Sequence, residues 1–221
     1  MSPPVSLARP RAILWDWDDT LVDNWASIHA AMNATLAAMG HPQWTLEQTR
    51  AEARRSLRNS FPEIFGPKWE EARELFYRAF AKNHLQLLRP RPGADAMLAR
   101  LAQAGIYLGV VSNKTGTFLR EEAAHLDWSR HFAAIVGAAD AAEDKPAPAP
   151  VKLALEGSGI VPGPAVWFVG DGRVDMECAH RAACAAVLIW DETAQTQDFG
   201  PHQPDRKVAT FAELEALALG R

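Results

Sequence analysis

The chain has 221 residues, a formal net charge of −4 and 48% hydrophobic residues, enough for one globular domain carrying an insertion or for two modest domains. Mild acidity without a dense Lys/Arg run excludes the phosphate-neutralising surface of a nucleic-acid binder and attachment to an anionic membrane. No apolar stretch reaches membrane-spanning length, and Cys178 and Cys184 lie outside any CxxC pair, so neither a zinc nor a disulfide framework is expected and the cytoplasm is the expected compartment.

In chain order, residues 1–11 lack the apolar core of a signal peptide and read as an N-terminal tail. "AILW" (12–15) is the first of five short apolar runs that suit strands buried on both faces of a parallel sheet. From 24 to about 90 no strand is evident and three helical patterns follow one another. In the first, Trp25, Ile28, Met32, Leu36 and Met39 recur at helical spacing up to Gly40. "TLEQTRAEARRSLRNSF" and "PKWEEARELFYRAFAKNHLQLL" supply the other two before "RPRPG". Asp23 and Asn24 stand where a helix begins and read as N-capping residues. The stripe Arg50, Arg54 and Arg58 reads as a solvated helix face, the alternative being a clamp for a second anionic group on a substrate.

Beyond the insertion, the runs "IYLGVV" (106–111), "AAIVG" (133–137), "AVWFVG" (165–170) and "AAVLIW" (185–190) alternate with the helix-like "GADAMLARLAQAG", "TFLREEAAHLDW" and "VDMECAHRAAC". This alternation predicts an α/β fold, a doubly wound Rossmann-like parallel sheet with an inserted all-helical cap domain. The boundaries are 12–22 and 91–221 for the catalytic core and 23–90 for the cap. "KPAPAP" (145–150) reads as a polyproline II connector.

Ligands of open α/β sheets bind beyond the carboxyl ends of the strands, which makes the residues after each run the candidate site. They are Asp16, Asp18, Asp19 and Thr20 after the first, Ser112 and Asn113 after the second, Lys145 after the third, and Asp171 and Asp175 after the fourth. Crowded carboxylates repel and are driven toward protonation unless a cation compensates. Lys145 is one candidate; the other is a metal, and an all-oxygen donor set without His or Cys suits Mg²⁺. Lys114 and Thr115 look like the end of a nucleotide-binding P-loop, but the glycines such a loop needs are missing.

"DWDDTLVD", "VVSN", "KPAP" and "VGDGRVD" together resemble the four ordered motifs of the haloacid dehalogenase (HAD) superfamily. The inserted segment resembles the helical cap of its phosphoglycolate phosphatase and β-phosphoglucomutase branch. The resemblance implies a Mg²⁺-dependent phosphatase acting on a small phosphorylated metabolite, as a monomer or homodimer. Asp16 is then the nucleophile, and Asp18 the general acid and base, oriented by Thr20. Ser112, Asn113, Thr20 and Lys145 hold phosphate. Asp16, the Asp18 backbone carbonyl and Asp171 hold the metal, with Asp175 ordering its waters or Lys145. A phosphomutase of the same superfamily and a phospho-accepting receiver domain are the alternatives; Asp18 counts against a dehalogenase. Two positions depart from the commonest pattern: Asp19, where Gly, Asn or Ser is frequent, and Gly172, where Ser or Thr is.

Overall fold

The protein is described by a computed structural model over residues 7–53, 55–189 and 198–221. It divides into two compact units, one of residues 1–21 and 90–221 and one of residues 22–89.

The larger unit is built on a six-stranded sheet in the order β5-β4-β1-β6-β7-β8. Its strands are β1 (Ala12–Trp15), β4 (Tyr107–Thr115), β5 (Ala134–Ala138), β6 (Val166–Gly170), β7 (Ala185–Ile189) and β8 (Arg206–Val208). Every adjacent pair is parallel, the Rossmann-like arrangement expected from the apolar runs. Helices α6 (Ala94–Gln103), α7 (Gly116–His125), α8 (Ala149–Ala154), α9 (Arg173–Arg181) and α10 (Phe211–Leu219) belong to the same unit. All four residues of β1 are fully buried, which is why it reads as a continuous apolar run rather than an alternating one. Ala12 and Leu14 join Val166, Phe168, Ala186 and Leu188 in one core cluster on a single face of the sheet. Trp15 on the other face meets Phe211 edge-on.

"KPAPAP" is not a polyproline connector: Pro148 precedes α8, and Pro150 lies in its first turn, where a missing N–H costs the helix nothing. β4 extends past Val111 to Thr115, so Ser112 and Asn113 lie on the strand rather than after it. Trp190 lies outside the described residues.

The smaller unit is helical. It holds α1 (Trp25–Ala38), α2 (Leu46–Glu52), α3 (Leu57–Phe65), α4 (Trp69–Ala81) and α5 (His84–Leu87). Two-residue strands β2 (Val22–Asp23) and β3 (Arg89–Pro90) pair with each other. Phe61, Phe65, Phe76 and Phe80 form its aromatic core. The second helical pattern is two helices rather than one. Thr45 opens α2 with a capping box closed by Gln48, and Ser56 takes an extended backbone ahead of α3, the role serine prefers over a helix interior. At the start of α1 the Asp23 carboxylate accepts the Trp25 N–H at 3.1 Å. The Arg50 guanidinium lies 5.7 Å over the Trp25 ring, so this member of the arginine stripe packs rather than projecting into solvent. Arg54 lies outside the described residues. Among the described residues no helix is long and apolar enough to cross a membrane.

Candidate active site

The site forms at the centre of the sheet. β1 is flanked by β4 on one side and β6 on the other, so the chain reverses direction across it, the topological switch point of an open α/β sheet. Trp15 pairs with Val110 and with Val169, so the residues just beyond, Asp16, Ser112 and Asp171, arrive at one edge together. Asp16 is anchored by its own N–H, which donates to the Val169 carbonyl at 2.9 Å.

Lys145 is the hub. Its buried ammonium lies 2.7 Å from Asp16 Oδ1 and 2.8 Å from Asp175 Oδ1, and 5.6 Å over the Phe168 ring. The other Asp175 oxygen accepts the Gly172 N–H at 3.0 Å. A side chain at position 170 would collide with Asp175, so Gly170 is what lets that carboxylate approach the strand end. Asp16, Asp171 and Asp175 each offer a carboxylate oxygen within 4.8 Å of the others. This is an oxygen-only set of the kind that suits a hard divalent cation.

The electrostatics reflect that crowding. Burial above all, then the charges of Asp175 and Asp171, push the Asp16 carboxyl up to about 8 against the opposing pull of Lys145. Burial pulls the other way on Lys145, but Asp16 and Asp175 outweigh it and hold the ammonium above its ordinary value. The lysine therefore stays charged while the carboxylates compete for compensation.

The remaining expected residues fall as follows. Asn113 donates its side-chain amide to the Lys145 carbonyl at 3.2 Å, and Ser112 Oγ accepts the Lys114 N–H at 3.2 Å. The Thr20 hydroxyl, expected to orient Asp18, donates to Asp171 Oδ1 at 3.2 Å. Asp19 has a left-handed backbone, φ 63°, a conformation that Gly, Asn and Asp tolerate best, and it pairs with Arg91. Its presence in the first motif thus has a conformational reason.

Asp18 has partners that were not foreseen. Its Oδ1 accepts from Lys114 Nζ at 2.7 Å, and Lys114 in turn donates to both oxygens of the buried Glu122, at 3.0 and 2.7 Å. The Trp17 indole N–H donates to the same Glu122 at 2.7 Å. Glu122 carried a legible signal. It shares the buried stripe of α7 with Leu119 and Ala123, and an acid on an apolar helix face demands a partner.

A sequence model of the family described as haloacid dehalogenase-like hydrolase matches residues 13–189. The phosphoglycolate phosphatase of Xanthomonas campestris pv. campestris strain 8004 is 33% identical over 186 residues, covering 82% of this chain and 84% of that protein. That of Photorhabdus laumondii subsp. laumondii is 29% identical over 212 residues, covering 92% and 90%. A haloacid dehalogenase-like family hydrolase from Streptococcus pneumoniae superposes with a TM-score of 0.80 at 22% identity, covering 96% of this chain and 99% of that one.

Proposed function

The chain belongs to the haloacid dehalogenase-like hydrolases, and from that premise we propose that it is a Mg²⁺-dependent phosphatase hydrolysing a small phosphorylated metabolite through an aspartyl-phosphate. Phosphoglycolate is the first substrate to test, because the relatives that resemble the chain are called phosphoglycolate phosphatases. The observation that carries the reading is the Asp16 carboxylate at the switch point, 2.7 Å from a buried ammonium and beside two further carboxylates.

Asp16 attacks phosphorus, and the ester oxygen leaves with a proton from Asp18. Water then attacks the phosphorus of the aspartyl-phosphate, giving its proton to Asp18 and freeing Asp16 and inorganic phosphate. Lys145 compensates charge on the nucleophile and the transferring group, with Asp175 holding it in place. Ser112 and Asn113 steady the phosphate from the end of β4. Asp16, Asp171 and the Asp18 backbone carbonyl would hold the metal; when bound it neutralises the phosphate and the carboxylates facing it. Thr20 orients Asp171 rather than Asp18. Two free, buried cysteines suit a reducing compartment, and the proposal places the enzyme in the cytoplasm.

Purified protein with Mg²⁺ is expected to release phosphate from phosphoglycolate and from a generic aryl phosphate, and chelation or Asp16→Asn is expected to abolish release. Turnover that survives Asp16→Asn would remove the nucleophile assignment. Isomerisation of a sugar phosphate without net phosphate release would point instead to a phosphomutase.

A further inference from the structure

Two acids of the first motif each hold a lysine, and each lysine holds a second acid. Asp16 pairs with Lys145 and Asp175; Asp18 pairs with Lys114 and Glu122. The first chain belongs to the phosphate and metal chemistry described above; in the second, Asp18 has a role there, while Lys114 and Glu122 are given none.

Three facts locate its purpose. Pairing between β4 and β5 passes from Val111 opposite Val136 to Thr115 opposite Ala138, four steps on β4 against two on β5. The extra residues fall in the stretch Ser112–Lys114, and bulges of this kind re-aim side chains next to sites. Lys114 Nζ lies within hydrogen-bond distance of one oxygen on Asp18 and of both oxygens on Glu122, so the ammonium is held between these two acids. Finally, the lysine side chain is 5% exposed and the glutamate 0%. Burying such a pair costs more in desolvation than an apolar pair of similar size would, which makes stability a poor reason for its presence.

We propose that Lys114, locked in place by Glu122, is a positioning residue for Asp18, fixing the direction from which that carboxyl meets the leaving oxygen of the phosphoester. The proposal rests on the phosphatase reading above. Glu122 fixes the lysine on one side, and through the Trp17 indole it also ties the lysine to the loop that carries both acids. The bond from Lys114 goes to Asp18 Oδ1, and in the proposal this bond fixes the carboxyl plane while the proton is carried by Oδ2.

The test compares two esters by kcat/KM, which covers steps only up to formation of the aspartyl-phosphate and so excludes its shared hydrolysis. An alkyl phosphate needs a proton on its leaving oxygen, whereas 4-nitrophenyl phosphate has a leaving group that departs without one. Lys114→Met is expected to lower kcat/KM for the alkyl ester at least about tenfold more than for the aryl ester, out of the 10²–10⁴-fold that general acid catalysis supplies. Lys114→Arg should recover part of that loss. Glu122→Gln keeps the side-chain size and should shift the ester ratio in the same direction; it decides the matter if Lys114→Met does not fold by circular dichroism. In an Asp18→Asn background, Lys114→Met should add little further loss on the alkyl ester, since both act through one group.

An unchanged ester ratio in Glu122→Gln and Lys114→Met, or a fully additive loss in the Asp18→Asn background, would overturn the positioning role while leaving the phosphatase intact. Absence of turnover on both esters in the parent protein would remove the phosphatase reading and this proposal with it.

Discussion

Asp16→Asn carries a prediction about stability as sharp as the one about activity. Among Asp16, Asp171, Asp175 and Lys145 the formal charge is −2; the substitution reduces it to −1 while leaving Lys145 its bond to Asp175. In the folded chain the Asp16 carboxyl is raised from 3.8 to about 8, first by burial and then by its neighbouring acids. A carboxyl whose folded value lies above its unfolded one contributes stability that is fully present below the unfolded value and lost as pH rises toward the folded one. The window is therefore about pH 4 to 8. At 1.36 kcal/mol for each tenfold change in proton affinity, the full loss has a ceiling of ~6 kcal/mol. Losing the Lys145 ion pair and the partly exposed position of Asp16 offset most of it, leaving a net gain for Asp16→Asn of ~1–2 kcal/mol at pH 8 without metal. For a chain of this length that is a rise in Tm of about 3–6 °C. Thermal unfolding in EDTA at pH 5 and pH 8 measures it, with the gap between variant and parent widening at the higher pH. A gap that is constant across this range, or a variant less stable at pH 8, would refute the claim that uncompensated charge at Asp16 strains the metal-free site.

Other consequences are more local. Gly170→Ala places a methyl group against the Asp175 side chain; displacing that carboxylate frees Lys145, and kcat/KM is expected to fall roughly 10²-fold, as misplacements of about 1 Å commonly cost. Phe168→Ala empties a fully buried position beneath Lys145 and should cost about 3–5 kcal/mol in urea unfolding. Tyr107→Phe removes the hydroxyl that donates to the Ala154 carbonyl at 2.6 Å; a loss of about 1 kcal/mol with unchanged kcat is expected, and an effect on turnover would contradict its assignment to packing alone.

The parts of the fold legible in the sequence are those whose burial is written into composition. β1, β6 and β7 are buried on both faces, so their residues are apolar without interruption, and "AILW" coincides with the strand. β8 escaped because it is three residues at the sheet edge and two of them, Arg206 and Lys207, are charged. β2 and β3 are too short to carry any pattern. "KPAPAP" misled because proline suits both an extended connector and the first turn of a helix, and composition alone does not separate the two. At the site, the parallel register brings the ends of β1 and β6 level, and Asp16, Asp171, Asp175 and Lys145, all named from their places after apolar runs, meet there. The Thr20 bond to Asp171 and the Asp18–Lys114–Glu122 chain bridge up to 151 positions in sequence, and only folding reveals such pairings. Glu122 alone announced itself, as a charge on the buried stripe of α7.

The central claim is that Asp16 accepts the phosphoryl group. Acid quenching during turnover, followed by mass spectrometry of the peptide containing Asp16, tests it most directly. The account predicts the added mass of one phosphoryl group on that aspartate, appearing before free phosphate reaches its steady rate and absent in Asp16→Asn. Continued turnover with no phosphorylated Asp16 at any quench time, or the same mass on a different residue, would contradict it.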